Sequence, residues 1–204
     1  MTVLAADDVL ITVPASLGWL FVETLIAAFD EHIDKHIDEA STGGGRLPLS
    51  LSAGIVFSHA KRPIEHTITL AGDVLKTAKK AAGGKASSIG WHDLTQHGVH
   101  RADARKDDRA RSHTWFVRRR PVIEEVAGWP AHQRNKWTRD LADDSFRAAE
   151  IAAYLRREAN RLGLSQKLKD LLDEQKTMGT VDDLIDIFEI SRWWSTDQNQ
   201  GEEQ

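Results

Sequence analysis

At 204 residues the chain is long enough for one domain or two small ones, and a composition 41% hydrophobic and 28% charged is that of an ordinary globular protein. A formal net charge of −4 gives no global nucleic-acid signature, so any basic surface must be local, and the absence of cysteine excludes disulfides and thiolate zinc sites. No apolar run reaches the length of a membrane span and the N-terminus lacks the pattern of a secretory signal, so a cytoplasmic location is expected.

The first element contains VLAADDVLITVPAS, residues 3–16. Two adjacent acids, Asp7 and Asp8, interrupt two apolar runs, although successive strand residues point to opposite faces and Asp is depleted in strands. The pattern predicts a β-hairpin over residues 3–13. Its tip is either a plain Asp-bearing turn or a pair of carboxylates that holds a divalent metal. Ser16 stands where an N-cap belongs. From it a helix is predicted to about Ala40, with Leu17, Leu20, Phe21, Leu25, Ala28, Phe29, Ile33 and Ile37 at helical spacing. His32 and His36 lie i,i+4 on this helix, the spacing of a zinc pair, but among four acids they read as a solvated face.

After the loop STGGGR, the run RLPLSLSAGIVFS alternates cleanly, with Leu47, Leu49, Leu51, Ala53, Ile55 and Phe57 on one face, and predicts a strand. Pro63 suits a first helical residue. Ile64, Ile68, Ala71, Val74, Leu75 and Ala78 form the stripe of a second helix that ends at Gly83-Gly84, and KASSIGW, residues 85–91, reads as another strand. Hairpin, helix, strand, helix, strand is the order of a sheet with helices packed on it.

Residues 100–120 then carry eight Lys or Arg against three Asp, which reads as a mobile basic connector. Its Arg118–Arg120 run is either an RNA-backbone contact or a salt-bridged or solvated linker. From about Gln133 every segment is helical. Phe146, Ala149, Ala153 and Leu162 mark one helix ended by Gly163, Ser165 caps a second that ends at Gly179, and Thr180 with Asp183 resembles a capping box for a third. Trp115, Trp129, Trp137, Trp193 and Trp194 read as core and interface anchors. The expected organisation is a sheet-and-helix domain over 1–99, a connector over 100–120, a helical domain over 121–194 and a disordered tail over 195–204, with an α+β fold class.

The paired acids on a hairpin, the strand LSAGIVFSHAKRPI and the helix AGDVLKTAKKAAGGKAS resemble, in order and spacing, the ferredoxin-like palm of GGDEF-type nucleotide cyclases. More closely they resemble the second palm domain of the large subunit of type III CRISPR effector complexes. The likeness covers residues 3 to about 92, and the helical remainder resembles that subunit's C-terminal helical domain. It implies an RNA-guided antiviral complex, conversion of ATP to cyclic oligoadenylate, and Mg2+ or Mn2+ on Asp7 and Asp8. It also implies nucleotide contacts from Ala5, Ala6, Ser52 and Lys79, and as partners the other effector subunits, with guide and target RNA met indirectly.

Two departures stand out. The family's hairpin reads GGDD where this chain has Ala5 and Ala6, and glycine there permits positive φ and close approach of a nucleotide. The family's palm also begins earlier, with a strand, helices and a further metal-binding strand, so a second polypeptide is expected to supply that half unless the reading frame is truncated. A sheet without its inner strand exposes unpaired edges, and the chain alone is expected to be inactive. An inactive structural module of the complex and a free-standing nucleotide-binding signalling domain are the alternatives; metal-dependent nucleotide binding and co-purification with effector subunits separate them.

Overall fold

The computed structural model describes residues 2–5, 8–40, 49–95, 110–141, 148–178 and 180–195. The chain divides into two compact units, Met1–Val117 and Arg118–Gln204, so the fold is α+β followed by all-α.

In the first unit β1 (Thr2–Ala5) and β2 (Asp8–Ile11) pair antiparallel, in register from Thr2↔Ile11 to Ala5↔Asp8. A 3-10 turn over Ala15–Leu17, started by the Leu17 N–H donating to the Pro14 carbonyl, leads into α1 (Gly18–Ala40). Pro14, not Ser16, occupies the cap position of that turn, and no side chain caps it.

The buried face of α1 also differs from the expected stripe. Trp19, Val22 and Ile26 are buried, while Leu17, Leu20 and Leu25 are 41%, 52% and 40% exposed. The segment GWLFVETLIAAF is apolar around most of its circumference, so two faces compete and periodicity alone does not choose between them. Trp19 decides the choice. Its ring lies 5.8 Å from Phe57, 6.0 Å from Trp91 and 5.4 Å from Phe116, and together they form the core of the unit.

The second sheet has the order β3-β4-β5, with β3 (Ser52–Phe57) parallel to β4 (Ser88–Asp93) and β4 antiparallel to β5 (Ala110–Ser112). Of the strand predicted over 47–57, Ser52–Phe57 is strand and 49–51 is not, while 47–48 lie outside the described residues; the one predicted over 85–91 starts and ends later. Between them runs α2 (Ile64–Ala82), with Pro63 one position earlier than expected, as its cap. Gly83 ends the helix at φ 54°, a left-handed turn open to glycine, and its N–H donates to the Lys79 and Lys80 carbonyls. Lys79 and Lys80 occupy the last turn, where cations favour the helix dipole.

Both faces of β3 are covered. Ile55 and Phe57 meet the start of α1 at Gly18, and Gly54 lies directly under the α2 backbone at Ala71 and Leu75. This coverage on two sides is the habit of parallel sheets.

The described part of residues 100–120 is regular structure rather than connector: β5 and then α3 (His113–Ala127), with the division between the units inside the helix. The rest of the second unit is α4 (Ala131–Leu141), α5 (Ala148–Arg161), α6 (Gln166–Met178) and α7 (Asp182–Ser191). Trp129, Trp137 and Phe188 form its aromatic cluster, with Trp137 stacked on Phe188 at 5.7 Å.

Gly163 turns at φ 67° after α5, and Ser165 caps α6, its hydroxyl accepting from the Leu168 N–H at 3.2 Å. The same hydroxyl donates to Glu125 of α3. Ser165→Ala is expected to cost about 1–2 kcal/mol, at the upper part of the capping range because two partners are lost at once. A urea titration of the full chain measures it, and an unchanged midpoint would show that the cap carries no weight. The capping box expected at Thr180 and Asp183 is not formed. Thr180 Oγ1 accepts from the Asp182 N–H, the Asp183 N–H donates to Gln175, and the Asp183 carboxylate is turned to Arg119. Phe146, Gly179 and the tail 196–204 lie outside the described residues.

Candidate nucleotide and metal site

The hairpin places Ala5 and Asp8 opposite one another on its last described rung, with Leu4↔Val9 next to it. Ala6 and Asp7 lie outside the described residues. Ala5 stands in a regular antiparallel ladder, whose residues are extended with negative φ, so this position does not call on glycine's freedom. The hairpin forms a two-stranded sheet of its own, separate from β3-β4-β5.

The other two expected contact residues are near one another. Ser52 opens β3, and its hydroxyl lies 3.1 Å from that of Ser88, at the start of β4. The Ser88 hydroxyl donates its single hydrogen to the Ala78 carbonyl at 2.9 Å, so Ser52 is the donor of the pair. This chain ties the head of β3 to the last turn of α2, where Lys79 follows Ala78 with its side chain exposed.

A polar group that sequence reasoning did not find lies on the same strand ends. The Ser87 hydroxyl donates to Asp30 Oδ1 at 3.3 Å and accepts from the Leu51 N–H at 3.2 Å. His113 Nδ1 is 3.9 Å from Asp30 Oδ2, and its backbone N–H donates to the Ser87 carbonyl. Serine, aspartate and histidine here are in the wrong order for nucleophilic catalysis, because the carboxylate stands between the other two and the buried hydroxyl is not bonded to the imidazole. The group joins α1, β4 and the start of α3. Residues 30, 87 and 113 are too far apart in sequence for any local pattern to announce it.

Among the described residues no group of three or more His, Cys, Asp or Glu side chains converges as a metal site. His32 is exposed on α1, and the side chain of His36 lies outside the described residues. The arginine run is engaged within the second unit. Arg118 meets Glu174 at 3.1 Å, Arg119 meets Asp183 at 2.7 Å and Glu174 at 3.0 Å, and Arg120 lies 5.8 Å from the Trp194 ring centroid. The salt-bridged reading of this run describes Arg118 and Arg119. No helix among the described residues is long and apolar enough to cross a membrane.

Comparison with known proteins adds a family. Residues 5–88 match the family described as Cas10/Cmr2, second palm domain. No curated protein and no solved structure matches the chain. The match runs from the last rung of the hairpin through α1, β3 and α2 to the first residue of β4, so it contains every residue expected at the nucleotide site. The segment 5–88 is therefore similar to the second palm domain of Cas10/Cmr2, the large subunit of type III CRISPR effector complexes.

Proposed function

We propose that the chain acts within an RNA-guided antiviral complex as a nucleotide-handling palm, with ATP as substrate and Mg2+ or Mn2+ as the ion. The observation that carries this reading is the pairing of Ala5 with Asp8, the two ends of the AADD motif, on the last described rung of the hairpin, inside the segment that matches the palm family.

The donor set fits a hard divalent ion in kind. Asp7 and Asp8 offer carboxylate oxygens, but two side chains are too few for six-coordinate magnesium, which leaves positions for phosphate oxygens, water and an acid from elsewhere. Bound there, the ion would neutralise charge on an α-phosphate under attack by a 3′-hydroxyl. The Lys79 ammonium, on the exposed side of the α2 terminus, suits a triphosphate. Ser52 has given its hydrogen to Ser88, so it offers a ligand acceptor lone pairs only, which suits a ribose hydroxyl rather than a phosphate oxygen. Ala6, where the family pattern has a glycine, favours the second reading, a palm kept as scaffold.

The chain assembled with its effector subunits is expected to bind ATP in the presence of manganese and to lose that binding on Asp7→Asn with Asp8→Asn, since Asn keeps the shape and removes the charge. Isothermal titration measures it. Retained affinity in the double variant would move the metal elsewhere, and no binding by the parent would leave the scaffold reading. In the same assembly Ala6→Gly should raise oligoadenylate synthesis; a variant equal to the parent would show that the alanine does not obstruct.

A further inference from the structure

Two consecutive serines hold the heads of β3 and β4, and they point to opposite sides, as neighbours on a strand do. Ser87 is tied to Asp30 of α1, and Ser88 to the Ala78 carbonyl in the last turn of α2. Ser52 pairs with Ser88 in register and is two residues from Gly54, which lies under α2, so both hydroxyls stand on the α2 side of the sheet. Ser88 is 1% exposed, whereas Ser52 is half-buried. Of the pair, only the Ser52 oxygen is within reach of a bound molecule.

A hydroxyl carries one hydrogen and two lone pairs, and a serine with no fixed partner turns either toward a ligand. Such a residue does not choose between donors and acceptors. Ser52 does choose, because the Ala78 carbonyl has no hydrogen and takes that of Ser88 at 2.9 Å, and Ser88 then accepts from Ser52 at 3.1 Å. Reversing this order would set the Ser88 oxygen against a carbonyl with no hydrogen between them, and lose a buried hydrogen bond. The polarity at Ser52 is therefore set from inside, by a side chain that no ligand touches.

We propose that Ser88 is a positioning residue that fixes Ser52 as an acceptor and so makes the site select for a sugar hydroxyl, favouring ribonucleoside triphosphates over their deoxy counterparts. The inference rests on the nucleotide reading above and names the residue behind a substrate preference of that site. Against a ribose, a Ser52 lone pair accepts the hydroxyl hydrogen. Against a deoxy sugar the same lone pair is cut off from water and meets no donor. A site built to bond a hydroxyl rejects the analogue without it, because its own polar group is left unpaired. Without Ser88 the Ser52 hydrogen is free to turn to a sugar ring oxygen, so less is lost when the hydroxyl is missing. The 2′- and 3′-hydroxyls share this chemistry, and analogues lacking one or the other tell them apart.

Isothermal titration of the assembled complex, in manganese, with ATP, 2′-deoxy-ATP and 3′-deoxy-ATP tests it. The parent is expected to bind ATP about tenfold more tightly than one of the two analogues, the worth of one hydrogen bond. Ser88→Ala should reduce that ratio to about twofold, and Ser52→Ala should bring it to about one, because no acceptor is left. Adding Ser88→Ala to Ser52→Ala should then leave the ratio unmoved, since Ser88 acts through Ser52. If Ser88→Ala does not assemble, Ser88→Cys replaces it, because a thiol fills the same space and accepts only weakly. A Ser88 variant that weakens ATP and analogue by the same factor shows a merely structural side chain and overturns the proposal, as does a ratio that survives Ser52→Ala. Equal binding of ATP and both analogues by the parent also overturns it and leaves the nucleotide reading standing. A parent that binds no ATP overturns both.

Discussion

Replacing Gly54 by Ala is expected to cost the first unit about 3 kcal/mol, the upper end of the range for overpacking. A Cβ at this position would stand 2.7 Å from the Leu75 nitrogen and 2.8 Å from the Ala71 carbonyl oxygen. Both are backbone atoms of α2, so no side chain can rotate away and the helix itself has to lift from the sheet. Gly72, the residue after Ala71 in α2, is the control. A Cβ there meets nothing within 4 Å, and Gly72→Ala should stabilise the helix by about 0.5–1 kcal/mol. Thermal unfolding of the two variants should therefore move in opposite directions from the parent. A Gly54→Ala protein that melts with the parent would mean that α2 stands farther from β3 than these distances state.

The second large effect is expected at Arg119. Its side chain is 9% exposed and bridges Asp183, at 15%, and Glu174, at 33%. Arg119→Ala takes the buried cation away from Asp183 and leaves Glu174 only the exposed Arg118, and breaking a buried pair from one side costs about 3–5 kcal/mol. The lower figure applies here because Glu174 keeps contact with water. Arg118 also meets Glu174, but its side chain is 66% exposed, and Arg118→Ala should cost less than about 1 kcal/mol. Urea unfolding of the second unit separates the two. Equal effects would contradict the division of labour between neighbouring arginines.

These two sites show what could be read from sequence and what could not. Alternation in SAGIVF and the glycine pair after α2 are local signals, and both elements were legible because each depends on neighbours a few residues away. The hairpin that carries Asp8 was legible for the same reason. What was not legible depends on distant partners. Asp183 has the spacing of a capping box with Thr180, yet its carboxylate is drawn 64 residues away to Arg119, and a charge-assisted bond to a guanidinium outweighs a cap. The basic run looked like a connector because composition records charge and not pairing. α1 was assigned the wrong face because an apolar helix carries no internal record of which side a remote Trp91 or Phe116 will cover.

The aromatic cluster of the first unit also bears on how such a domain is inherited. The family match stops at residue 88. The side chains that close the core over Trp19 include Trp91 and Phe116, both beyond that limit. The stretch recognisable by descent is thus shorter than the stretch able to fold. Recombination that transferred only residues 5–88 would carry the hairpin acids and the lysines of α2 but leave Trp19 facing water on two sides. A viable transfer has to reach Val117, so selection on the palm should act on β4, β5 and the first turn of α3 as strongly as on the residues that mark the family.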